Sequence, residues 1–103
     1  MDLVLNHEPG SSLLRLEGRF TFESHSVFRA VTQALLDAPE TREITLDLSG
    51  LSYLDSSSLG MLLLLKEKAD PQGIPLILLK PSPVVMGILK VVQFGKLFEI
   101  QEA

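Results

Sequence analysis

The feature that most constrains this chain is its hydrophobic period, which switches repeatedly between about 2 and about 3.6 residues. In Leu13 to Gly18, Leu14 and Leu16 take one side and Arg15 and Glu17 the other, as in a half-buried strand. Leu3 and Leu5 suggest a shorter strand before it, and Glu8-Pro9-Gly10-Ser11 reads as the turn of an opening hairpin. After Phe22 the spacing lengthens, and Val27, Ala30, Val31, Ala34 and Leu35 fall on one helical stripe, with Ser24 as N-cap and Pro39 beyond the end. Glu43 to Ser49 alternates again, with Ile44, Leu46 and Leu48 against Thr45 and Asp47. Ser56 to Ala69 then reads as a helix closed by Asp70-Pro71-Gln72-Gly73, and Pro75 to Leu79 as a buried strand. Ser82-Pro83 opens a third helix carrying Val85, Ile88, Leu89 and Val92, and Leu97 to Ile100 is the last strand.

The order β, β-α, β-α, β-α, β predicts one α/β domain over residues 1–103. Its sheet has about five strands, mostly parallel and joined by right-handed crossovers, with an N-terminal hairpin strand. The length of 103 residues fits a single domain, and 46% hydrophobic residues supply its core.

Charge and composition then exclude several classes of function. The net charge of −4 and the lack of any uninterrupted basic cluster argue against a nucleic-acid partner, whose binding starts from clustered Lys and Arg. The absence of cysteine removes disulfides, thiolate metal sites and thiol nucleophiles, and fits a reducing compartment. The amino end shows no signal-peptide pattern. The apolar run Leu59 to Leu65 is far shorter than the roughly 20 residues that span a bilayer. The expectation is a cytoplasmic protein without direct membrane insertion.

Catalysis is also disfavoured. His7 and His25 have no second ligand at metal-like spacing and read as surface histidines. Ser56 lacks the flanking glycines of a nucleophile elbow, since Leu54 and Ser58 stand at those positions. No phosphate-cradling glycine pattern occurs. Neither cofactor nor metal is implied, and the chain is not expected to be an enzyme.

What stands out is the passage from strand through a loop to Asp55 and three serines at the start of the second helix. Serines there cap unpaired amides, worth roughly 1 kcal/mol. The same position would also tolerate a phosphate, because leading amides and the helix dipole favour an anion. Within that helix, Leu59, Leu62, Leu63 and Ala69 form a core stripe edged by Lys66. Met61, Leu64 and Leu65 are surplus to it, so the helix is either covered by neighbours or exposes an apolar partner patch.

Leu46-Asp47-Leu48-Ser49-Gly50-Leu51-Ser52-Tyr53-Leu54-Asp55-Ser56-Ser57-Ser58-Leu59-Gly60 resembles the signature of STAS domains, and within them the bacterial anti-sigma factor antagonists. Gly18-Arg19-Phe20 sits where that family carries a strand-two glycine motif, and Phe94 to Ile100 is similar to the end of many members. The resemblance implies a small sheet with helices mainly on one side. It also implies a partner switch in which Ser56, after the motif acid Asp55, is phosphorylated by an anti-sigma factor that is also a serine kinase of the histidine-kinase-like ATPase type. A PP2C-type phosphatase would reverse the modification. Ser57 takes the Ser/Thr position, Leu59 and Gly60 match the L-G pair, and Ser58 replaces the family glycine. The implied partner surface is the turn Asp55, Ser56, Ser57 and Ser58 with the helix start Leu59, Gly60 and Met61. The alternative within the same fold is a stand-alone STAS subunit of a lipid-trafficking ABC transport complex.

Overall fold

The computed structural model describes residues 3–7 and 10–102, so Glu8 and Pro9 of the expected first turn lie outside the described residues. Five strands form one sheet: β1 (Val4–His7), β2 (Leu13–Phe20), β3 (Ile44–Leu54), β4 (Leu76–Leu79) and β5 (Glu99–Gln101). Three helices connect them: α1 (His25–Asp37), α2 (Ser56–Ala69) and α3 (Pro83–Val91). Spatial order equals chain order, with β1 antiparallel to β2 and every later pair parallel. The mostly parallel α/β domain with its opening hairpin is therefore as the sequence predicts.

Crossovers of one hand, all stepping the same way across a sheet, place their helices on one face. The side chains follow that rule. Leu14, Leu46 and Leu78 are register partners across three strands and are fully buried in the core. The next row on the opposite face holds Arg15 and Asp47, joined at 3.3 Å, with the Arg15 side chain half exposed. Asp47 also accepts from the amide and hydroxyl of Ser49. Burial of its carboxyl raises the pKa, and these donors together with Arg15 overcome that and hold it below the ordinary value.

Four local expectations change. The stretch from Gly50 to Leu54, read as loop, continues β3: it pairs with β2 up to Leu54 opposite Phe20, through two register irregularities. Those irregularities break the strict alternation that a period-2 reading needs. On α1 the buried stripe is Phe28, Thr32, Leu35 and Leu36, whereas Val27, Ala30 and Ala34 are exposed. Phe28 wins the core because its ring packs 4.7 Å from that of the buried Phe20, and Thr32 can follow it inward by donating its hydroxyl to the Phe28 carbonyl at 2.8 Å. Ser24 precedes α1 without capping it by a side-chain bond, since a single 3-10 turn (Phe22–Ser24) already leads into the helix. A further 3-10 turn (Phe94–Lys96) delays the last strand to Glu99.

The ambiguity of α2 resolves toward the core. Leu59, Met61, Leu62, Leu65 and Ala69 are buried against the sheet and neighbouring helices, Leu63 is half-buried, and Leu64 alone among the surplus residues is exposed. Helix α1 packs beside α2, and α3 lies against β3, where Ser82 donates its hydroxyl to the Leu51 carbonyl and accepts from the Val85 amide.

Candidate functional site

Parallel neighbours β2 and β3 end side by side, so the residues that follow each strand must meet. The turn after β2 (Thr21 to His25) therefore lies against the turn after β3 (Asp55 to Ser58). The Asp55 amide donates to the Phe20 carbonyl at 3.2 Å, extending the ladder by one step. Asp55 is still extended, with φ −93 and ψ 174, and α2 begins at the next residue. One residue thus separates strand from helix.

Asp55 organises the junction. Its Oδ1 accepts from the Ser58 amide at 2.8 Å, the usual N-cap bond, and from the Ser57 hydroxyl at 2.8 Å. Its Oδ2 accepts from the Phe22 amide at 3.1 Å, across the two turns. Partial burial of this carboxylate raises its pKa, but the Ser57 hydroxyl and the amides of Ser58 and Phe22 outweigh that and bring it down to about 2. It is ionised at any physiological pH.

The three serines are not equivalent. Ser58 is fully buried and donates its hydroxyl to the Phe20 carbonyl at 2.8 Å. This bond stitches α2 to the end of β2, which is what the chain gains from serine where the family glycine would stand. Ser57 is exposed, but its hydroxyl is spent on Asp55. Ser56 is exposed at the first position of α2, and among the described residues nothing bonds its hydroxyl. Capping is the work of Asp55, not a task shared by the serine cluster.

His25 belongs to this junction, although its sequence context reads as bland surface. Its Nε2 lies 3.2 Å from the Ser58 Oγ and 3.3 Å from the Ser57 Oγ. Its ring stands edge-on between Phe20 and Phe22, at 5.9 and 5.5 Å. The chain spacing of 32 and 33 residues hides the contact. The pairing of the strand that ends at Phe20 with the one that ends at Leu54 was the signal that would have found it. A serine beside a histidine suggests a nucleophile and its base, and proton counting opposes this. A carboxylate and a carbonyl can only accept, so Ser57 and Ser58 have each used their one hydroxyl proton. The Nε2 is therefore the donor in both contacts, and neither serine can give it a proton.

Of the other expected partner residues, Gly60 is half-buried, whereas the Leu59 and Met61 side chains turn into the core with Ser58. The surface at this end includes the exposed Ser56 and Ser57 and the part-exposed Asp55, joined by Glu23, Ser26 and Phe22, which the sequence did not single out. A cavity of about 680 Å³ floored by Leu5, Val31 and Leu35, with Arg42 and Glu43 at its rim, lies at the opposite ends of the strands and is separate from this site. Among the described residues no group of three or more His, Cys, Asp or Glu could hold a metal, and no helix is long and apolar enough to cross a membrane.

Residues 3–100 match a family model described as Mlab, STAS domain. A STAS-domain containing protein of Pseudomonas aeruginosa (strain UCBPP-PA14) is 39% identical over 87 residues, 84% of this chain and 84% of the relative. Two solved structures share the fold. One is a Thermotoga maritima protein assigned to the anti-sigma factor antagonists, with TM-score 0.79 and 19% identity, covering 98% of this chain and 86% of that one. The other is the anti-sigma factor antagonist SpoIIAA in its unphosphorylated form, with TM-score 0.73 and 23% identity, covering 99% and 89%. The phosphorylated form of SpoIIAA, a Bacillus cell fate determinant, also matches.

Proposed function

The chain belongs to the STAS domain family, and on that footing we propose that it is an anti-sigma factor antagonist working as a phosphorylation-controlled partner switch. The unmodified protein binds an anti-sigma factor that is also a serine kinase, and so releases that factor's client. Phosphorylation of Ser56 ends the binding, and a PP2C-type phosphatase restores it. The domain itself performs no catalysis in this cycle, which runs in the cytoplasm.

One observation carries the reading: Ser56 is exposed with a hydroxyl that is uncommitted among the described residues, while its two serine neighbours are bonded. A kinase has one free acceptor at this turn. The modified form is compatible with the fold, because leading helix amides and water both solvate a phosphate. A docked partner would displace that water. The phosphate brings about −1.5 to −2 charges, and Asp55 next to it is already ionised. An unpaired charge buried in an interface costs several kcal/mol.

The test is incubation with ATP and the serine kinase recovered from the native cell with Ser56→Ala protein as bait, followed by phosphopeptide mapping. One phosphate on Ser56, and none on a Ser56→Ala variant, is expected. Label on Ser57 or Ser58 of the unaltered protein contradicts the assignment. Absence of any kinase, with a permease captured instead, would favour the transport-subunit alternative.

A further inference from the structure

Phe22 is 74% exposed, yet it is not on a loose loop. Its amide is bonded to Asp55, its backbone forms a 3-10 turn closed by the Ser24 amide on the Thr21 carbonyl at 2.9 Å, and its ring meets the edge of His25. His25 in turn makes three contacts: the buried Phe20 ring and the Phe22 ring each meet it edge-to-face, and the serine oxygens accept from its Nε2–H. A large aromatic held rigid and left in water is the kind of residue that dominates binding energy at interfaces, since little freedom remains to be lost when it is covered. It stands beside the serine turn, because the carboxylate that holds its amide belongs to the residue directly before Ser56.

We propose that the partner grips a composite surface, Phe22 of the β2–α1 turn together with Ser56 of α2, and that His25 is the positioning residue that keeps the two in register. The occupant is the kinase-type partner of the switch, presenting an apolar pocket for the Phe22 ring beside the groove that receives Ser56. This inference rests on the partner-switch reading and adds to it a second contact and the side chain that links both.

Two measurements test it. In the isolated protein, hydrogen exchange at the Phe22 amide reports whether the turn is held. His25→Ala should speed that exchange at least tenfold while leaving amides in β4 unchanged, and unchanged exchange at Phe22 would overturn the role of His25. Against the recovered kinase, Phe22→Ala should weaken binding about thirtyfold or more, the size of an interface hot spot. This variant keeps its fold because the ring is in water. His25→Ala should weaken binding roughly fivefold alone and have no further effect in the Phe22→Ala background, since it acts through that ring. Unaltered affinity of Phe22→Ala, or simple additivity of the two variants, overturns the composite surface. If phosphorylation of Ser56 still abolishes binding in that event, the switch stands without it. If the phosphorylated protein binds like the unmodified one, the switch reading has failed instead.

Discussion

At the scale of single residues, Asp55 bonds donors from two chain segments with one carboxylate, and that makes it the structural residue of the site. Its replacement by alanine strands the Phe22 and Ser58 amides together and should cost about 2 kcal/mol, the upper end of the N-cap range. Ser56→Ala removes no side-chain bond among the described residues and should stay within about 0.5 kcal/mol of the parent. Urea denaturation of the two variants gives both values, and reversal of their order would mean that Ser56 is the cap. The Asp55 carboxyl is more acidic in the folded protein, about 2 against the ordinary 3.8. Its ionised form therefore contributes stability above pH about 4, and the contribution fades as the pH falls through about 2. Stability measured over that window should fall less steeply for Asp55→Asn than for the parent. The Asp-Ser-Ser run and its helix were legible in the sequence because caps are local. The different duties of Ser56, Ser57 and Ser58 were not, because their partners Phe20 and His25 lie more than thirty residues away.

At the scale of elements, the order of strands and helices was readable because each apolar period is long enough to name its own element. The readings failed where packing chose between two acceptable local answers. On α1 both Val27-Ala30-Ala34 and Phe28-Thr32-Leu35 fit helical spacing, and the larger Phe28 beside Phe20 took the core. On β3 the irregular register hid five residues of strand, Gly50 to Leu54. Gly18, at one of those irregularities, has φ +95, a conformation that side chains resist and that explains why glycine stands in this strand. Gly18→Ala should cost about 1–2 kcal/mol. It should also disturb amide signals of Phe22 and Asp55, because Phe20 carries the strand into the site. A variant as stable as the parent, with an unmoved site, would show that the irregularity holds nothing in place.

At the scale of the molecule, the proposed switch is confined to one end of the sheet, where β2 and β3 finish and α1 and α2 begin. The core below it, Leu14, Leu46 and Leu78 across the strands, has no polar connection to Ser56 and should not respond to its state. Two-dimensional amide spectra of the phosphorylated protein should therefore change over residues 20–25 and 55–60 and remain fixed in β4 and β5. Phosphorylation on this account works by what a partner can cover, not by unfolding. The most direct test is titration calorimetry of unmodified and Ser56-phosphorylated protein against the recovered kinase. A penalty of roughly 4 kcal/mol predicts binding about a thousandfold weaker for the phosphorylated form. Ser56→Asp should fall between the two, and Ser56→Ala should bind like the unmodified protein. Equal affinities for the phosphorylated and unmodified forms would contradict the account and leave the serine turn as the start of a helix.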